Sequence, residues 1–158
     1  GFVELHIENS SEGEYNKIKT IIDNRGQGNI GILLSYTKDV ERYSEALDNK
    51  NIEHSSYHNK YYYKEKRNTE ENLKNILVTT YKSAKGLEFN TVIMPSFQNA
   101  NNNLKKEYYV GATRAKEAVY LLSTEDPDIL SSFPSSCYKK ISSTQTSSSS
   151  TTDDELPF

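Results

Sequence analysis

The chain has 158 residues, 34% hydrophobic and 26% charged, enough for one domain with some length left over. It contains no apolar run long enough for a helical membrane span and no signal-peptide core. Its single cysteine, Cys137, excludes an internal disulfide and fits a reducing compartment. The net charge of -3 is unevenly placed. Six acids from Glu125 onward outnumber Lys139 and Lys140, so the first 124 residues carry a small positive charge and the acidic balance does not argue against nucleic acid.

In chain order, Phe2 to Ile7 reads as a strand, entered at once from Gly1 as in an excised fragment. Ser11 and Glu14 have capping-box spacing, and Tyr15, Ile18 and Ile22 follow on one helical face. GQGNIG (residues 26–31) matches the dinucleotide fingerprint in letters. The fingerprint needs a strand before and a helix after, whereas here the order is reversed, so it reads as a helix-ending turn. IGILLS (30–35) is a short apolar run of the kind buried parallel strands show. A helix is expected over 39–50 and a strand over 52–57. Residues 59–75 read as a loop with a short helix near 69–74. Within them KYYYKEKR (60–67) mixes cations and aromatics as single-strand binders do, although a solvated loop is its plainer reading.

Ile76 to Thr80 then predicts a strand, KSAKGLEF (82–89) a connection, and Val92 to Pro95 another strand. An asparagine-rich loop covers 99–103, a helix 105–115 and a last strand 119–123. Strands alternating with helical stretches predict βαβ units: an α/β, mostly parallel sheet with helices on both faces. Residues 125–141 form an extension. From Ser142 to Thr152 ten of eleven residues are Ser or Thr, a flexible tether that ends in DDELPF.

No G-x-x-x-x-G-K-[ST] phosphate cradle is present, no metal-ligand spacing joins His6, His54 and His58, and no Ser-His-Asp or Cys-His set occurs. Two stretches stand out. TTYKSAKGLEF (79–89) places two lysines, a glycine and a carboxylate between two apolar strands. EYYVGATRAKEAVYLLS (107–123) presents Arg114 near a helix end, where a planar cation can act on a phosphate under attack, although TRAK alone is more commonly a charged helix end.

In this order, IGILLSYTKDVERYSEALDNKNIEHSSY, VTTYKSAKGLEFNTVIMP and EYYVGATRAKEAVYLL resemble the C-terminal motor domain of superfamily 1 DNA helicases of the UvrD/Rep/PcrA type. The second segment resembles the family's motif V and the third its motif VI. The resemblance covers residues 2–124 and implies a RecA-like fold. It also implies ATP with Mg2+ as cofactor, single-stranded DNA as partner, and a cytoplasmic setting of bacterial or phage-like kind. By the same resemblance, Arg114 is the arginine finger that reaches the ATP γ-phosphate, and Glu88 hydrogen-bonds the ribose. Gly86 lets the backbone pass close to the nucleotide cleft. Thr80, Lys82 and Lys85 face the DNA strand, with Lys82 standing where the family usually has histidine.

The phosphate-holding motor domain is absent from this stretch, so the resemblance implies an N-terminal motor domain as partner and no hydrolysis by this piece alone. Two alternatives stand beside the motor reading. One is a non-catalytic DNA- or protein-binding module derived from a helicase domain. The other is a helicase-nuclease subunit of the RecB/AddA type, which would continue into a nuclease where this chain runs into a tether. The terminal DDELPF resembles the tip of bacterial single-stranded DNA-binding proteins. There Asp153, Asp154 and Glu155 would steer, Pro157 would restrict the backbone, and Phe158 would anchor in a partner that captures such tips.

Overall fold

A computed structural model describes residues 1–25, 28–57, 75–100 and 102–142. The sheet has seven strands: β1 (Phe2–Ile7), β2 (Ile30–Leu34), β3 (Ser55–Tyr57), β4 (Ile76–Thr80), β5 (Phe89–Met94), β6 (Ala115–Ser123) and β7 (Lys139–Ser142). Their order is β3-β4-β2-β5-β6-β1-β7, and every pairing is parallel. Among the described residues three α-helices accompany them: α1 (Ser11–Asn24), α2 (Thr37–Asn49) and α3 (Lys105–Ala112).

Parallel strands covered on both faces must be apolar on both, and β2 is buried at all five positions. Ile30, Ile32 and Leu34 point into one core with α1 and α2, through Ile18, Ile22, Val40 and Leu47. Leu33 points into the other, with Tyr81, Phe97, Tyr108 and Ile129. The chain therefore leaves β1 and β2 toward the α1–α2 face, and leaves β4, β5 and β6 toward the α3 face. Connections that move along the sheet in one direction share a face, as the right-handed crossover rule requires.

Among the described residues the expected strands and helices are present, several with shifted ends. The N-cap of α1 is Ser10, whose hydroxyl accepts from the Gly13 amide at 3.1 Å. Glu14 does not reach back to cap the helix as the capping-box spacing suggested; it points inward. The helix after residue 104 ends at Ala112, three residues short of the expected end, and β6 begins at Ala115, four residues earlier than expected. Residues 125–142 add three-ten turns and β7 to the same sheet, with Ile129 and Leu130 buried in the α3-side core. The expected turn after α1 runs between Asn24 and Ile30, where Gly28 and Asn29 are described. The KYYYKEKR segment, the expected helix near 69–74, and the tip residues Asp153 to Phe158 lie outside the described residues.

Candidate functional site

The connection from β4 to β5 determines the geometry of the site. Parallel strands are normally joined by a crossover of a dozen or more residues, usually a helix. Here residues 81–88 suffice. Strand register pairs Thr80 with Leu34, and Ile32 with Ile93, so Thr80 lies six residues above Phe89 along the sheet. At about 3.3 Å per residue that separation is about 20 Å. Thr80 therefore stands at the carboxyl edge of the sheet and Glu88 at the amino edge, joined by one short segment.

The segment is anchored from within. The Tyr81 amide donates to the Leu34 carbonyl at 3.0 Å, and its ring meets Tyr108 edge-on at 5.2 Å beneath α3. Burial pushes the Tyr81 phenol well above its usual pKa, so it stays neutral. Gly111 of α3 lies against that ring, and a Cβ there would come within 2.7 Å of it. Ala84 is buried, and the amides of Ala84 and Leu87 close successive turns onto Thr80 and Ala84. Thr80 itself is buried, and its hydroxyl accepts from the Ser83 amide at 3.1 Å. Gly86 has φ +90, and a Cβ there would meet nothing within 4 Å. The left-handed backbone alone favours glycine here, without any close approach within the protein.

At the amino edge the two halves of the predicted nucleotide contact come together. The Phe89 amide donates to the Arg114 carbonyl at 2.9 Å. Arg114 is not in the helix but in the turn between α3 and β6, its amide bonded to the Gly111 carbonyl at 3.1 Å. Its Nε is buried and has no hydrogen-bond partner among the described residues. Glu88, one residue before Phe89, is exposed and makes a loose 3.8 Å pair with Lys116, likewise exposed. Such a pair is weak and easily exchanged for another partner.

At the carboxyl edge Lys82 and Lys85 are exposed. They line a groove of about 200 Å³ with Tyr81 and with three residues of α3: Lys106, Glu107 and Val110. Lys106 was not identified from the sequence. Its spacing to Val110, one turn along the helix and opposite buried Tyr108 and Gly111, carries the signal that the helix turns both outward.

A buried polar hub lies on the α1–α2 face at the same edge. Glu14 is 1% exposed; its Oε1 accepts from the Tyr43 hydroxyl at 2.8 Å and the Ser96 amide at 3.0 Å. Burial holds the Glu14 carboxyl above its usual range, and Glu8 pushes the same way. Tyr43, Ser96 and Arg42 act against that rise without cancelling it. Ser96 has φ 57, a left-handed conformation held by these bonds, and it sets the direction in which the chain leaves β5. No group of three metal-ligating side chains occurs among the described residues, and no helix there is long and apolar enough to cross a membrane.

Comparison with known proteins agrees with the fold. The UvrD-like helicase C-terminal domain family matches residues 6–126. Over 83 residues, 49% of the chain, the sequence is 37% identical to the RecBCD enzyme subunit RecB of Chlamydia pneumoniae, of which it spans 8%. Among solved structures, the C-terminal domain of a possible DNA helicase from Lactobacillus plantarum superposes with a TM-score of 0.68 at 17% identity, over 88% of this chain and 84% of that one. The Pyrococcus furiosus Hef helicase domain gives 0.63 at 12% identity, over 92% of this chain and 36% of that one. The C-terminal domain of the DEAD-box protein Dbp5 gives 0.62 at 11% identity, over 92% of each.

Proposed function

The chain belongs to the UvrD-like helicase C-terminal domain family, and we propose that it serves as the second motor half of an ATP-driven DNA translocase. The observation that carries this reading is the pairing at the amino edge. A guanidinium with a buried, unmet Nε is joined through one backbone hydrogen bond to the segment that bears Glu88. An arginine held partly inward offers a planar cation with restricted freedom to an acceptor brought from outside.

ATP with Mg2+ fits this donor set. When bound, its terminal phosphate supplies the bond whose cleavage drives movement. Arg114 would present a fixed planar cation to that phosphate, and Glu88 would accept from a ribose hydroxyl after exchanging Lys116. The phosphate cradle and the Mg2+ ligands would come from an N-terminal motor domain. At the other edge Lys82 and Lys85 would meet the phosphates of a single strand. Thr80 would act through its turn, because its hydroxyl already serves Ser83.

The similarity to RecB supports the helicase-nuclease branch more than the sequence reading did. The same edge would then work within a larger multi-subunit enzyme.

The test is an ATPase assay on this chain alone and on the chain joined to its motor half. We expect background turnover from the first and DNA-stimulated turnover from the second. Chelator-sensitive turnover by the chain alone, or none by the joined protein, would sink the proposal.

A further inference from the structure

The groove beside α3 combines positive charge with apolar lining. Lys82, Lys85 and Lys106 rim about 200 Å³ of space against buried Tyr81 and against Val110, which is 38% exposed. Glu107 is the one acid among the lining residues, so three cations less one anion leave the rim at +2. No hydrogen bond or ion pair engages the three lysine side chains among the described residues. The larger groove between α1 and α2 differs in this respect. Its Arg42 is taken by Tyr15, Asp39 and Ser96, and its Lys50 by Glu12 and Asn16. The α3 groove is smaller than the roughly 300–1,000 Å³ of small-molecule sites, and suits one apolar side chain flanked by acids.

The sequence holds a segment of that chemistry, and the sheet delivers the chain to the right edge. After Lys140 the only charges are Asp153, Asp154 and Glu155, followed by Leu156, Pro157 and Phe158. Strand β7 is parallel to β1, so the chain leaves Ser142 at the carboxyl edge. Register carries that level across the sheet: Ser142 pairs with Ile7, Ile7 with Ser123, Leu121 with Met94, Ile93 with Ile32, and Leu34 with Thr80. Ser142 therefore stands level with Tyr81, five strand spacings away, about 24 Å. The eleven steps from Ser142 to Asp153 can span up to about 36–40 Å. The extension before Ser142 already lies on the groove's face of the sheet, with Ile129 and Leu130 in the α3-side core and Lys105 over the Phe133 ring at 5.1 Å.

We propose that residues 153–158 dock in the lysine groove of their own chain. The acids meet Lys82, Lys85 and Lys106, and Phe158 packs against Tyr81 and Val110. Tethering supplies an effective concentration of about a millimolar, so a contact too weak for a separate peptide forms within the chain. The docking stands on charge, lining and reach alone. Its consequence, that the tail withholds these lysines from a DNA strand, rests on the translocase reading.

The test is amide NMR on the 158-residue chain carrying Cys137→Ser and Ser150→Cys, with a nitroxide on the introduced thiol. At low salt the nitroxide should broaden the amides of Lys82, Lys85, Lys106 and Val110. It should spare those of Lys17, Lys19 and Lys38, which α1 and α2 carry. Neutralising the tail (Asp153→Asn, Asp154→Asn and Glu155→Gln together) should recover most of the lost signal, and so should Phe158→Ala. Broadening spread evenly over both sets of lysines, or unmoved by either tail change, would overturn the proposal. Isotope-labelled parent mixed with unlabelled, nitroxide-bearing chain should show no broadening; the full pattern there would assign the groove to a second copy and end the idea. The neutral tail should also let the chain bind a fluorescent oligothymidine about three- to ten-fold more tightly. Unmoved affinity with the broadening intact would leave the docked tail standing and remove the DNA strand from the groove.

Discussion

The two edges of the sheet solve opposite problems with residues of the same segment. At the carboxyl edge the Thr80 hydroxyl is served by Ser83 and the Tyr81 amide by Leu34. Lys82 and Lys85 are left to face water. At the amino edge the arginine is drawn inward and left with a buried donor unmet. A solvated set of lysines can meet a strand without help. On the proposed reading, a half-buried guanidinium whose Nε has no partner among the described residues would act when a second surface brings an acceptor to it, so one edge would be a complete surface and the other half of a site.

The sharpest way to break that contrast is to remove the unmet cation. In the protein joined to its motor half, Arg114→Ala should lower ATP turnover roughly 10³-fold while leaving oligonucleotide affinity within about two-fold, measured by steady-state turnover and anisotropy. A proportionate loss of both would mean the edges are not separable. The next largest effect should come from the anchor between them. Gly111→Ala drives a methyl into the Tyr81 ring and should cost about 1–3 kcal/mol, read as a lower denaturation midpoint. An unchanged midpoint would show that Tyr81 is not held as tightly as the contact implies.

The smallest effect concerns the hub, and its sign is set by pH. Because burial raises the folded-state pKa of Glu14, the folded protein holds more protons there than the unfolded chain does. Its contribution is favourable at low pH and is lost as pH rises from about 4.5 through that raised value. Glu14→Gln should therefore match the parent at pH 4 and exceed it in stability at pH 7, by denaturant titration at each pH. A constant offset across the range would refute the assignment.

Much of this was readable from the letters. Apolar runs such as IGILLS announce strands buried on both sides, and alternation with helices announces a parallel sheet, because few other arrangements bury both. The KGLEF and ATRA stretches stood out by carrying charges between apolar strands. What could not be read was set by partners distant in sequence. Glu14 looked like a capping residue because spacing is local, and its partners Tyr43 and Ser96 arrive from 29 and 82 positions away. Lys106 joins Lys82 and Lys85 along one groove only in the folded chain. The ends of the last helix and strand were misplaced because Thr113 and Arg114 have no residue that forbids helix; the Phe89 amide, taking the Arg114 carbonyl, stops it there.

The brevity of the β4–β5 connection has a mechanical consequence. Six residues in turn conformation advance about 2 Å each, and the three that follow, extended to Phe89, add about 10 Å. Together they only just cover the separation between the edges. The segment is pinned at its first residue, where Tyr81 packs beneath α3, and ends at the amide that holds the Arg114 carbonyl, so one short stretch joins the two edges.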